Sequence, residues 1–372
     1  MGLEAGQQLV NAHYAAQKKS AESGDCAVET DYRQVIERDD LDAVVVATPD
    51  HWHAQITLDA MSRGLDVYCE KPVTHFFAEG QKVYKTAAAQ NVVFQVGSQQ
   101  RSDPLFRKAV EIVRNGHLGA IKRVEVGLPP GYAKANDDTS SASLPTGLDY
   151  DMWCGPAPKL PYARAWHHRW WRGVRAYGGG VLMDWIGHHN DIAHWGLEQS
   201  LGGPLRVEAV GWSPSQCPQY DTPADFEIQC SYAEGVESII SSSNRIAQGT
   251  KWIGDEGWLW VNRGKLEASE RRWLANSFVA GEWRAAPSPG HVSNFVECVK
   301  SRQNCVTSAE IGHRSITPGH LGYVSHQLGR PLTWNAKTEH VVGDETAQSL
   351  LMSVQYRAPW SFRPQSDVDS DV

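Results

Sequence analysis

DAVVVATPDHWH, residues 42–53, is the stretch on which the fold turns. Its first half, Asp42 to Ala47, is apolar on successive residues instead of alternating, the pattern of a strand covered on both faces in a parallel sheet. The spacing therefore predicts a central strand. The second half, Thr48-Pro49-Asp50-His51-Trp52-His53, is a polar turn leading into a helix over about residues 51–63. In doubly wound sheets ligands sit outside the carboxyl ends of strands, so this turn is well placed to meet one. The plainer reading is that Thr48 or Asp50 caps the helix.

Working outward, LDVYC (65–69) reads as the next strand, 78–90 as a helix and 92–96 as a third strand. Strands alternating with crossover helices predict an α/β chain with a parallel sheet. The first twenty residues read as a helix and Cys26 to Glu29 as a short strand after it. Residues 106–115 read as a helix ending at Gly116, and 121–127 as a new strand. The division expected is 1–118 and 119–372.

Residues 129–180 form a long irregular segment, with Tyr150, Trp153, Tyr162, Trp166, Trp170, Trp171 and Tyr177 interleaved with Arg164, Arg169, Arg172 and Arg175. Loops of that length are usually functional. Aromatics there suit the apolar faces of a ring-shaped ligand, and equally suit packing of the loop itself. A strong helix over 181–198 follows, then alternating runs near 205–211, 226–232, 236–242 and 258–261. They predict a large, mostly antiparallel sheet in an α+β second half. Helices are expected at 292–301, within 308–328 and at 345–353.

Composition narrows the partners. In 372 residues, 35 Lys and Arg stand against 43 Asp and Glu, a net charge of -8, so no chain-wide basic field attracts nucleic acid. No run approaches the roughly twenty apolar residues of a membrane span. The seven cysteines are widely spaced without a CxxC pair, which predicts free, mostly buried thiols and a reducing compartment such as the cytoplasm.

Two further stretches carry chemistry. Glu70-Lys71-Pro72 closes the second strand, where a lysine can hold a hydroxyl and take part in proton transfer. Gly178-Gly179-Gly180 opens the helix bearing Asp184, His188 and Asp191, which share one face at i, i+4 and i+7. A carboxylate beside an imidazole fixes its tautomer and raises its basicity, which suits removal of a hydroxyl proton. A polar core pair is the plainer alternative. A metal site built from Asp184, His188, His189, His167 and His168 is a weaker one, because no dedicated ligand motif is present.

TPDHWH, EKP, QVGSQQR (95–101) and GGGVLMDWIGHHNDIAHW (178–195), with LDYDMWCGPAP (148–158), GHLGYVSHQLGR (319–330) and YRAPW (356–360), together resemble the Gfo/Idh/MocA family of oxidoreductases in its bacterial subgroup. The resemblance runs over nearly the whole chain. It implies a Rossmann-type domain followed by an α/β domain whose open sheet supports a homodimer or tetramer. It implies NAD or NADP as cofactor and hydride transfer to or from a secondary hydroxyl of a sugar, polyol or glycoside. An NAD-retaining redox glycosidase and a non-catalytic sugar-binding module are the alternatives. Lys71, Asp184 and His188 would be catalytic, with His188 the base. Thr48, Pro49, His53, Glu70, Lys71 and Gln99 would line the nicotinamide, and Arg101, Trp153, His167, Arg169 and Asp191 would meet the substrate.

The chain departs from that pattern at one point. No GxGxxG turn precedes DAVVVA, so the Rossmann-type sheet is expected to be incomplete, as in a fragment or a chain started late. An export signal could then have preceded the missing unit.

Overall fold

The computed structural model describes residues 3–16, 26–135, 137–166 and 168–362, with the side chains of 168 and 169 also outside the description. The first half contains α1 (Leu3–Ala16), α2 (Tyr32–Ile36), β1 (Ala43–Val46), α3 (Asp50–Ser62), β2 (Asp66–Cys69), α4 (Phe77–Ala89), β3 (Phe94–Val96) and α5 (Pro104–Arg114). β1, β2 and β3 form a parallel sheet in that order. β2 is the central strand and is buried at every position. Asp66 at its start accepts from the Val93 N–H at 2.7 Å and pairs with Arg302 at 2.6 Å, fixing the entry to β3.

The expected central place of DAVVVA is corrected. β1 is an edge strand and Val45 is 66 % exposed. Among the described residues no strand pairs with its free side, and α1 buries none of its own residues, so one face lies uncovered. Cys26 to Glu29, expected as a strand, is irregular: no strand among the described residues pairs with it.

The second half contains β4 (Ile121–Leu128), α6 (Tyr150–Cys154), α7 (Gly180–Gly196), β5 (Arg206–Ser213), β6 (Asp225–Ser231), β7 (Glu237–Ser242), β8 (Gly249–Gly254), β9 (Gly257–Asn262), β10 (Lys265–Ala268), α8 (His291–Ser301), α9 (Ala309–Leu328), β11 (Leu332–Asn335), β12 (His340–Val341) and α10 (Glu345–Leu351). Its sheet runs β10-β9-β8-β4-β7-β6-β5-β11-β12, antiparallel except for β4 against β7. The strands β8, β10, β11 and β12 are additions to the sequence reading.

Three helices hold the halves together. In α5 the Asp103 carboxylate caps the Leu105 and Phe106 N–H groups, Pro104 occupies the first turn, and Phe106, Ala109, Val110 and Ile112 face the core. α9 starts on the Ser308 cap and stops at Gly329 in the left-handed region, packing on α4, α7 and β5. α7 lies on β4 and β8, where Trp252 fills the space beside Gly196. All seven cysteines are free, six of them buried. No described helix is long and apolar enough to cross a membrane.

Trp252 is completely buried, and Trp252→Ala should destabilise the fold by about 3–5 kcal/mol through the cavity it leaves. An unchanged urea midpoint would refute its place in the core.

Candidate active site

The turn after β2 brings Lys71 to α7. Its Nζ donates to Asp184 Oδ1 at 2.6 Å and to the Asp184 carbonyl at 3.0 Å, and Arg172 Nε meets the same carboxylate oxygen at 3.1 Å. Asp184 sits one turn into α7. The glycine run before it has a local reason: Gly180 has φ of +67°, and a Cβ there would lie 2.7 Å from Thr222.

Asp50, the first residue of α3, belongs to the same cluster. It is 1 % exposed, and its Oδ2 has no hydrogen-bond partner among the described residues. Gly178 lets it in, since a Cβ at that position would stand 3.1 Å from Oδ2. Burial pushes the Asp50 carboxyl up to about 7 in spite of the Arg172 charge, with Asp184 adding to the rise.

His188, the next turn of α7, is 5 % exposed. Burial and then the charge of Lys71 hold its imidazole well below the ordinary range, so it is neutral at pH 7. One expectation is corrected here. The Asp184 carboxylate does not orient His188, because it is engaged by two cations, and a charge-assisted bond outcompetes one to a neutral ring. His188 Nδ1 is buried without a partner among the described residues.

The other expected site residues fall into three groups. Thr48 and Gln99 are exposed and Pro49 and Glu70 half-buried at the carboxyl ends of the parallel strands, with Gln99 Nε2 donating to Glu70 Oε1 at 2.9 Å and to the Tyr68 hydroxyl at 3.1 Å. Pro49 is the N-cap of α3 and no side chain caps it, so neither Thr48 nor Asp50 takes that role. His53 is buried behind them, its ring nitrogens 2.7 Å from the Pro72 carbonyl and 2.9 Å from the Thr48 carbonyl. Burial pushes it down, but Cys69 and the two carbonyls prevail and its affinity for a proton is raised. Two carbonyls need two N–H donors, which only the protonated ring supplies.

Arg101 and Asp191 are bound to each other, by bonds of 2.7 and 2.8 Å, with side chains 4 % and 1 % exposed. Arg101 also covers the Trp195 ring. Trp153 lies against Tyr177 and Tyr150, and its carbonyl faces His51 Nε2 at 2.9 Å. His167 and the side chain of Arg169 lie outside the described residues. Among the described residues no group of three or more His, Cys, Asp or Glu is placed to hold a metal ion.

Asp50 and Arg172 are the cluster members that the sequence reading quoted without selecting. Asp50 carried a signal in TPDHWH, as a carboxylate opening a helix at a strand end. Arg172 carried none beyond its aromatic loop.

The residues present fit the nicotinamide end of a dinucleotide. Polar and half-exposed groups ring the ends of β1, β2 and β3 beside Lys71, at the edge where α/β sheets bind ligands. The fit does not extend to the pyrophosphate, for which no glycine-rich turn opening a helix lies among the described residues ahead of β1.

Comparison with known proteins bears on this arrangement. The family model described as "Oxidoreductase family, NAD-binding Rossmann fold" matches residues 4–98, and "Oxidoreductase family, C-terminal alpha/beta domain" matches residues 106–362. The chain is 37 % identical over 126 residues to inositol 2-dehydrogenase 4 of Saccharopolyspora erythraea, covering 32 % of this chain and 36 % of that protein. It is 28 % identical over 330 residues to myo-inositol 2-dehydrogenase of Thermotoga maritima, covering 84 % of each. The chain spans 54 % and 27 % of the length of two other curated relatives it matches. A solved levoglucosan dehydrogenase, in complex with NADH and levoglucosan, shares the fold with a TM-score of 0.59 at 19 % identity, over 87 % of each chain.

Two predictions follow from the cluster and its neighbours. Because folding raises Asp50 from an ordinary 3.8 to about 7, the stability linked to it is complete below pH 4 and lost as pH rises through 7. Relative to Asp50→Asn, the wild type should therefore lose on the order of a few kcal/mol between those limits. A stability difference that stays flat across that range in thermal unfolding would exclude the raised carboxyl. Arg101→Met, which strands the Asp191 charge, should cost about 3–5 kcal/mol, and the double change to Arg101→Met/Asp191→Leu should restore most of it. Weaker substrate binding at unaltered stability would instead assign the pair to the substrate.

Proposed function

The chain belongs to the Gfo/Idh/MocA oxidoreductase family, and we propose that within it this chain is a nicotinamide-dependent dehydrogenase of a secondary hydroxyl on a sugar or polyol. The observation that carries the reading is the contact of Lys71 with Asp184 at the carboxyl end of the parallel strands, with the neutral His188 in the same electrostatic neighbourhood. Thr48, Pro49, His53, Glu70, Lys71 and Gln99 line or support the cofactor end of the site.

Bound nicotinamide supplies the acceptor for the hydride. Lys71 donates to the substrate hydroxyl oxygen and stabilises the negative charge that gathers there. His188 takes the hydroxyl proton, and the carbon–oxygen bond becomes a carbonyl as the hydride leaves the same carbon. A neutral imidazole is open to that proton, and the Lys71 charge that depresses its basicity also steadies the alkoxide. Asp184, itself held by Arg172, fixes the ammonium, so that orientation is settled before substrate arrives. Trp153 and its neighbours offer flat surfaces to the ring, and His167 and Arg169 are candidate further contacts. Assembly into a dimer or tetramer through the large sheet, and a cytoplasmic setting, complete the proposal.

The test is purified chain with millimolar NAD or NADP, read as protection against thermal unfolding, followed by reduced cofactor formed from a panel of sugars and inositols. Protection with turnover supports the reading. Absence of both overturns it, and so does nitrophenol released from a nitrophenyl glycoside without net reduced cofactor. Lys71→Ala and His188→Ala should each lower kcat by roughly two to four orders of magnitude. Unchanged turnover in both would remove the roles assigned to them.

A further inference from the structure

A cavity of about 520 Å3 opens between the start of α4, the loop at 157–176, α9 and the segment at 350–356. Its lining includes none of Lys71, Asp184 and His188. Its chemistry differs as well. Arg175 projects into it with its guanidinium 5.3 Å from the Phe76 ring and 4.7 Å from the Tyr323 ring. Nη1 donates to His75 Nε2 at 2.6 Å. A guanidinium N–H only donates, so His75 Nε2 carries the lone pair and its proton sits on Nδ1. That Nδ1 is buried without a partner among the described residues, and so is His320 Nε2 in the same wall.

Among the described residues no carboxylate pairs with the guanidinium. Its one hydrogen bond runs from Nη1, so among the described residues the Nε and Nη2 edge has no partner. Asp221, the lining carboxylate, accepts from the Arg175 backbone N–H and not from its guanidinium, so it adds a charge to the wall without pairing the cation. Behind the Tyr356 hydroxyl, Glu79 is pushed up to about 7 by burial and supplies no full negative charge near neutrality. Burial and then the Arg175 charge keep His75 and His320 neutral. One fixed cation in a half-enclosed aromatic chamber, with a free two-donor edge, is the geometry that a carboxylate satisfies with paired bonds. A dianion would exceed the one cation on offer and would meet the Asp221 carboxylate in the same wall.

We propose that this cavity binds a small organic monocarboxylate with a ring-shaped apolar body, its carboxylate on the free edge of Arg175 and its ring against Phe76, Tyr323 and Tyr356. The site is separate from the Lys71 cluster and does not depend on the dehydrogenase reading.

The experiment is isothermal titration of the whole chain with benzoate, with benzyl alcohol and inorganic phosphate as comparisons. Benzoate should bind saturably at one site and benzyl alcohol should not. Arg175→Gln should weaken benzoate at least about tenfold. Phe76→Leu, which keeps the guanidinium and guards against a misfolded arginine variant, should weaken it about fivefold. No benzoate binding up to roughly 10 mM, or binding unchanged in both variants, overturns the proposal. Phosphate binding as tightly as benzoate also overturns it, by making the site one for inorganic anions.

Discussion

The Lys71 ammonium lies 2.6 Å from the Asp184 carboxylate, and the site depends on that contact. It joins the end of a strand in the small parallel sheet to the first turns of a helix on the large one. Both side chains are mostly shielded, at 14 % and 16 % exposure, so removing either would leave a poorly solvated charge. Arg172 shares the carboxylate and the buried Asp50 lies within reach of the same charges. Two acids and two bases in one small volume leave little freedom to any one of them.

Around that contact the junction between the halves carries buried polar contacts. Ser98 donates to the Gly187 carbonyl at 3.0 Å, His53 spans two turns, and Arg101 clasps Asp191 beneath α7. His51 sets its ring nitrogens against the Tyr177 and Trp153 carbonyls and so ties the aromatic loop to α3. Paired or bridged groups of this kind specify one docking of the two sheets, since a shifted arrangement would bury them unsatisfied. The same logic separates the two ends of the loop at 164–175. Arg172 is neutralised at the cluster, while Arg175, one turn later, faces aromatic rings and neutral imidazoles.

Much of the fold was legible because its signals are local. Uninterrupted apolar residues announced β1, the alternation of strands and helices announced β2 and β3, a glycine run announced α7, and the spacing of polar turns after strands located Lys71 and the residues around it. Legibility failed where a property belongs to a neighbour. DAVVVA carries the pattern of a central strand, yet β1 stands at an edge, with no strand on its free side among the described residues. The i, i+4 spacing of Asp184 and His188 places both on one helix face, and says nothing of the cations that claim the carboxylate from across the junction.

By itself the sequence determined the succession of elements, the family pattern and the identity of the lysine, aspartate and histidine to examine, because periodicity, turn chemistry and motif order are written along the chain. Only the tertiary structure decided which charges meet. It drew Asp50 and Arg172 into the cluster, closed Arg101 on Asp191 and left Arg175 without a salt bridge among the described residues. Pairing depends on distance and burial across elements about a hundred residues apart, and no one-dimensional spacing encodes either.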